Sequence, residues 1–267
     1  MLEQLYSPRW IEARVHAIFI GFIYSVIGIF CAIIISPSNA GILSLGFVSV
    51  LLMPTLNSFL KSEEKIELRE KTLSFKRFYL DHDEVIKSVL FLFLGIFLAY
   101  MAVSLLLGDR LAYYFLPMLK VLGLTGLAAG SGDFTRIVVN NLIVFAVCFI
   151  ISFFFGAGAI LFLAWNASVW GIAIAYFIRE AISVVNINPF IAFYNNLIPF
   201  LPHMITEAFA YVTIAIAGGI VSKAVINEDY KSKTFSRIIK DAFLFMIFGF
   251  ILVLIAGAIE VYIFPNL

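Results

Sequence analysis

Apolar runs of membrane-spanning length follow one another along almost this whole chain, and that repetition constrains the fold more than any single motif does. About 20 mostly apolar residues wound as a helix cover the roughly 30 Å hydrocarbon core of a bilayer. Inside that core the backbone must satisfy its own polar groups, which leaves helices or closed barrels. The runs are Val15–Ile35, Ile42–Leu60, Val89–Leu107, Asn140–Leu163, Val169–Val184, Pro199–Ile226 and Ala242–Phe264. Val169–Val184 is short for a crossing and continues through the weakly apolar Val185–Asn196, which holds Pro189 and Asn195-Asn196. This predicts one irregular crossing or a broken helix, with a re-entrant segment as the non-crossing alternative; such backbone needs protein or water to satisfy it. The expected class is all-α: a polytopic transmembrane helical bundle with about seven crossings.

Composition agrees. The chain is 63% hydrophobic and 13% charged, where a soluble domain carries about 25% charged residues. A net charge of +1 with no basic stripe gives no footprint for nucleic acid. Cys31 and Cys148 both fall inside apolar runs and read as small packing residues. A secretory signal peptide competes for Val15–Ile35, because Ser38-Asn39-Ala40 resembles a cleavage site; the run exceeds the usual apolar region of about 7–15 residues, which favours a span.

Three regions follow: a transmembrane hairpin over 1–60, a charged segment over 61–87, and a membrane core over 88–267. In 61–87 basic and acidic residues alternate, with Glu67 and Lys71 spaced as a helical i, i+4 pair. This predicts a helix at the membrane surface that runs into the next span. Asp81-His82-Asp83-Glu84 reads as a solvated helix cap, since four adjacent residues cannot all face one ion on a helix. Phe115–Leu127 is too short to span and is expected to lie on or dip into the bilayer. Gly130-Ser131-Gly132-Asp133 lacks the Lys-Ser/Thr ending of a phosphate loop and reads as a turn. Asn166-Ala167-Ser168 matches a glycosylation sequon by chance, next to a span. With the N-terminus inside and seven crossings, 14 basic residues fall on inner segments and four on outer ones. That excess places the N-terminus, 61–87 and 227–241 in the cytoplasm, with the chain multi-pass in the cell membrane.

The chemistry-bearing stretch is Pro199–Ile226. Pro202 suits a helix start, where its missing N–H costs nothing. His203 and Glu207 follow at i, i+4 and share one helix face. A carboxylate within a span costs roughly 2.5–3.5 kcal/mol on insertion scales, so it faces protein or water. Asn140, Asn141 and Asn166 are candidates to join His203 and Glu207 in a buried polar network. Two zinc ligands are conceivable at 203 and 207, but a catalytic zinc wants three; His16 is remote and His82 lies in the charged segment. No catalytic residue, metal site or cofactor is expected. Ser152, Gly156 and Ala159 are placed on one helix face, and 208–219 is rich in Ala and Gly. Both are surfaces for close helix approach, within one chain or between copies.

Asn140-Asn141, then Gly156 and Gly158, then Asn166 with Gly171, then Pro202-His203-x-x-x-Glu207 and Gly218-Gly219 resemble the stage II sporulation protein M family over roughly residues 85–267. Met204 stands where that family usually has Gly. The resemblance implies a five-span core, to which the hairpin over 15–60 is an addition. It also implies a part in a membrane complex, since the namesake works with peptidoglycan-degrading partners during engulfment. The expected function is a non-catalytic scaffold or assembly partner, not an enzyme. Membrane lipids and other membrane or envelope proteins are its expected partners, and a homo-oligomer is compatible. The alternative is a transporter or channel for a small solute or ion that uses the His203/Glu207 face. An intramembrane enzyme is the weakest reading.

Overall fold

A computed structural model describes residues 14–67, 75–115, 134–183 and 186–263. Phe115 apart, the expected interfacial segment Phe115–Leu127 and the Gly130–Asp133 turn lie outside those residues. The long helices are α1 (Arg14–Ile35), α2 (Ala40–Glu67), α3 (Phe75–Leu107), α4 (Phe134–Phe155) and α5 (Ile160–Ser183), then the short α6 (Pro189–Leu197), then α7 (Leu201–Asn227) and α8 (Lys233–Ile263). Among the described residues six stretches are long and apolar enough to cross a membrane. One of them, Ile137–Ser183, is 47 residues long. It is divided into α4 and α5, of 22 and 24 residues, so seven helices reach spanning length.

The division falls at Gly156–Ala159, and not at Trp165–Ser168 as the apolar runs suggest. Gly156 takes φ +54°, which a glycine adopts without a Cβ penalty. The polar stretch stays inside α5 because its side chains bond backward along the helix: Asn166 Nδ2 donates to Phe162 O and Ser168 Oγ to Trp165 O. The expected Ser152/Gly156/Ala159 face is therefore not one helix face; Ser152 alone belongs to α4. The described parts of the charged segment, 61–67 and 75–87, are likewise carried on extensions of two spanning helices. Asp81 lies inside α3, which begins at Phe75 and not at the Asp cluster.

Contacts set the helix directions. Ser44 on α2 meets Tyr100 on α3 through a 2.8 Å hydroxyl contact. Gly171 on α5 packs against Phe97 and Met101 of α3, and Gly108 just beyond α3 lies against Arg179 of α5, so these two helices run parallel. Cys148 Sγ and Ser152 Oγ of α4 donate to Tyr211 O and Ala215 O of α7, again parallel. His203 meets Ala256, and Gly249 lies beside Thr213, so α7 and α8 are antiparallel. Leu60, near the end of α2, touches Gly219 in the last third of α7. Together these put the end of α2, the start of α3, the α4–α5 break and the α7–α8 turn at one end of the bundle, hereafter the charged end. Helix α6 and the start of α7 lie at the opposite end.

Close approach relies on missing side chains. A Cβ on Gly95 would collide with Ile18 O, so α1 and α3 cross with their backbones almost touching. A Cβ on Gly218 would fall 2.8 Å from Phe149 O of α4. The 208–219 surface thus packs within the chain; Ala208, Ala210, Ala215, Ala217 and both glycines are buried. Cys31 and Cys148 are both free thiols, and Cys148 is buried in that α4–α7 seam.

Candidate functional site: a buried His–carboxylate cluster

The α6–α7 junction prepares the site. Pro202 stands in the first turn of α7, as its missing N–H predicts. Phe200, just before that helix, stacks on Phe177 of α5 at a centroid distance of 6.3 Å and tilts against Trp170 at 5.9 Å. These rings pin the start of α7 to α5. They leave His203 and Glu207 on the face turned toward α5 and α8.

Both residues are buried, at 1% and 6% exposure. Glu207 Oε2 accepts from Trp170 Nε1 at 3.0 Å, and Oε1 accepts from the Tyr211 hydroxyl at 2.6 Å. His203 Nε2 lies 3.4 Å from Glu207 Oε2 and 3.5 Å from Glu260 Oε2. Its Nδ1 is 3.0 Å from Ala256 O on α8. The indole of Trp170 meets the imidazole edge to face at 5.3 Å. With Nδ1–H donated to Ala256 O, Nε2 faces two carboxylates. In the imidazolium form it donates there and neutralises one charge; in the neutral form it is an acceptor, and a hydrogen bond there requires one of the two carboxyls to be protonated. Three helices are thus tied by directional bonds around one carboxylate.

Asn141 and Asn166 form no hydrogen bond to this cluster. Asn141 on α4 is buried; Asn140 Nδ2 reaches its Oδ1 at 3.5 Å, and its own Nδ2 has no partner among the described residues. Asn166 Nδ2 donates to Phe162 O on its own helix. His203 and Glu207 are therefore the sequence-chosen residues that the fold brings together. Trp170, Tyr211 and Glu260 enter from outside that choice. Two of them carried a signal: Tyr211 continues the 203/207 stripe at the next i+4 step, and Glu260 is a lone carboxylate in the last apolar run. Trp170 carried none.

Among the described residues no group of three His, Cys, Asp or Glu is arranged to hold a metal ion. A groove of about 250 Å³ between α3 and α7 is lined by apolar side chains, among them Phe93, Phe97, Met204, Ile205 and Ala208. It offers an ion no ligand.

Fold and cluster together define a polytopic helical membrane protein whose core helices are joined by an intramembrane His–carboxylate site. Residues 88–265, most of the chain, match the stage II sporulation protein M family, and the chain belongs to it. No curated protein and no solved structure matches the chain. The matched region begins within α3, so α1 and α2 lie outside it.

Proposed function

We propose that this protein is a non-catalytic scaffold or assembly partner in a membrane complex, and that its His–carboxylate cluster serves the geometry of helix packing. The closure of the cluster carries this reading. Both oxygens of Glu207 and both ring nitrogens of His203 are already engaged by groups of α5, α7 and α8. A transport site needs ligands free to turn toward a solute. The partners are membrane lipids and other membrane or envelope proteins, a second copy among them, and the reading calls for no cofactor. The excess of basic residues at the charged end supports a cell-membrane orientation with that end in the cytoplasm.

The test is purification from native membranes, cross-linked before extraction into a mild detergent, with the co-purifying chains identified by mass spectrometry. A stoichiometric partner lost in a monodisperse Glu207→Ala variant is the expected result. Recovery of this chain alone from cross-linked membranes would overturn the reading.

One observation favours a second reading. The Glu260 side chain is 13% exposed and 3.5 Å from His203, which in turn reaches the buried Glu207. A carboxylate–imidazole–carboxylate series of this kind can pass protons inward, as a transporter or channel for a small solute or ion would require. Flux into proteoliposomes that is the same for wild type and Glu207→Gln would eliminate it.

A further inference from the structure

Helix α6, between the spans α5 and α7, is too short to cross a membrane, and its surface is rich in exposed apolar side chains. Its exposed side chains are Phe190 (86% exposed), Tyr194 (62%), Ile191 and Phe193, with Pro189 and the polar Asn195 at its margins and Ile198 one residue beyond its end. At 100° per residue the positions 190, 191, 194 and 198 fall on one side of the helix. The small Ala192, fully buried, lies on the other side, toward the bundle. The whole segment 186–200 holds no Lys, Arg, Asp or Glu. The Asn188 side chain caps the helix by accepting from Phe190 N, and Asn196 Nδ2 bonds back to Ala192 O.

We infer that α6 is an interfacial helix whose Phe190/Ile191/Tyr194/Ile198 face lies in the lipid of one leaflet, and that it thereby holds the His203–Glu207–Glu260 cluster near the edge of the hydrocarbon. Three observations support lipid as the occupant. The helix is tethered at both ends to spans, α5 before it and α7 after it, so it stays at membrane level. The spans on either side of it also expose apolar side chains, Tyr176 on α5 and Ile205 on α7. Tyr194 with Phe190 is also the kind of amphipathic and aromatic pairing that settles at the headgroup boundary. The depth of the cluster follows from connectivity: His203 lies in the first turn of α7, directly after α6, and Glu260 in the last turn of α8.

The test uses the full chain with Cys31→Ala and Cys148→Ala, carrying a single cysteine at Phe190, Ile191 or Ile198, labelled with the environment-sensitive fluorophore NBD. The labelled proteins are reconstituted into phosphatidylcholine–phosphatidylglycerol vesicles. A label at Asp229, exposed in the α7–α8 turn, is the aqueous reference. At the α6 positions blue-shifted emission, iodide quenching several-fold weaker than at 229, and stronger quenching by lipids spin-labelled high on the acyl chain than by deep ones are expected. Iodide quenching equal to that at 229 would overturn the inference. Strongest quenching by the deep label would overturn the shallow depth. Shielding from both iodide and lipid labels would show a protein covering the face, which also overturns it. Because each of the three positions is exposed and tested separately, a misfolded variant at one leaves the other two to decide.

Discussion

The two halves of α7 are held in the bundle by opposite means. Toward its start, His203, Glu207 and Tyr211 make directional bonds to side chains and backbone of α5, α7 and α8. Farther along, Ala215, Gly218 and Gly219 make almost none of their own and work by absence, letting α4 and α2 approach until backbone meets backbone or side chain. In lipid the apolar surface gains little by leaving its surroundings, so helices associate through packing and interhelical hydrogen bonds. The polar half specifies which groups meet. The small-residue half specifies how close the helices come. A polar bond can be weakened by degrees, whereas a backbone contact admits no extra atom.

The largest effect is expected where an atom is added to the close-packed half. Gly218→Leu puts a side chain where even a Cβ would lie 2.6 Å from Ser152 Cβ and 2.8 Å from Phe149 O. Overpacking of this kind costs about 3 kcal/mol, read as a shifted midpoint in reversible unfolding by SDS in mixed micelles. Removing the carboxylate comes next. Glu207→Ala leaves Trp170 and Tyr211 without their shared acceptor, and two membrane hydrogen bonds at about 0.6 kcal/mol each give a loss of about 1 kcal/mol, to which the lost His203 contact adds. Glu207→Gln keeps an acceptor oxygen and should lose about half as much; equal losses for the two variants would mean that charge, not hydrogen bonding, holds this end. Trp170→Phe deletes one N–H donor and should cost about 0.6 kcal/mol in the same assay.

The smallest expected signal sharpens the comparison most. Glu207 and Gly218 are eleven residues apart on one helix, about 16 Å at 1.5 Å per residue. Losses in a Trp170→Phe/Gly218→Ala double variant should therefore add to within about 0.5 kcal/mol. A larger coupling would show that α7 shifts as a rigid rod and that its two halves are not held independently.

Much of this was legible in the residues. Run length and the scarcity of charge were enough for an all-helical membrane bundle, because in hydrocarbon a backbone has few ways to satisfy itself. The i, i+4 spacing of His203 and Glu207 placed them on one face for the same local reason, since helix periodicity is a property of neighbours in sequence. The α4–α5 boundary was not legible from hydropathy. An uninterrupted apolar run crosses Gly156, while the conspicuous Trp165–Ser168 interruption closes its hydrogen bonds within the helix. Hydropathy measures transfer to lipid and does not register a single left-handed glycine.

What surrounds Glu207 was decided by the tertiary structure. Trp170 is 37 residues away in sequence, and Glu260 is 53 residues from Glu207 and farther still from Trp170. They meet because α5 and α8 pack on the same end of α7 that carries His203. Asn141 and Asn166 have the same chemistry on paper as members of such a cluster, yet Asn141 Oδ1 accepts from its neighbour Asn140 and Asn166 Nδ2 donates to Phe162 O on its own helix. Residue type and spacing determine what a side chain can offer and which face of its own helix it occupies. Which partner it meets depends on the rotation and contact of whole helices, set here by the glycines that let them touch.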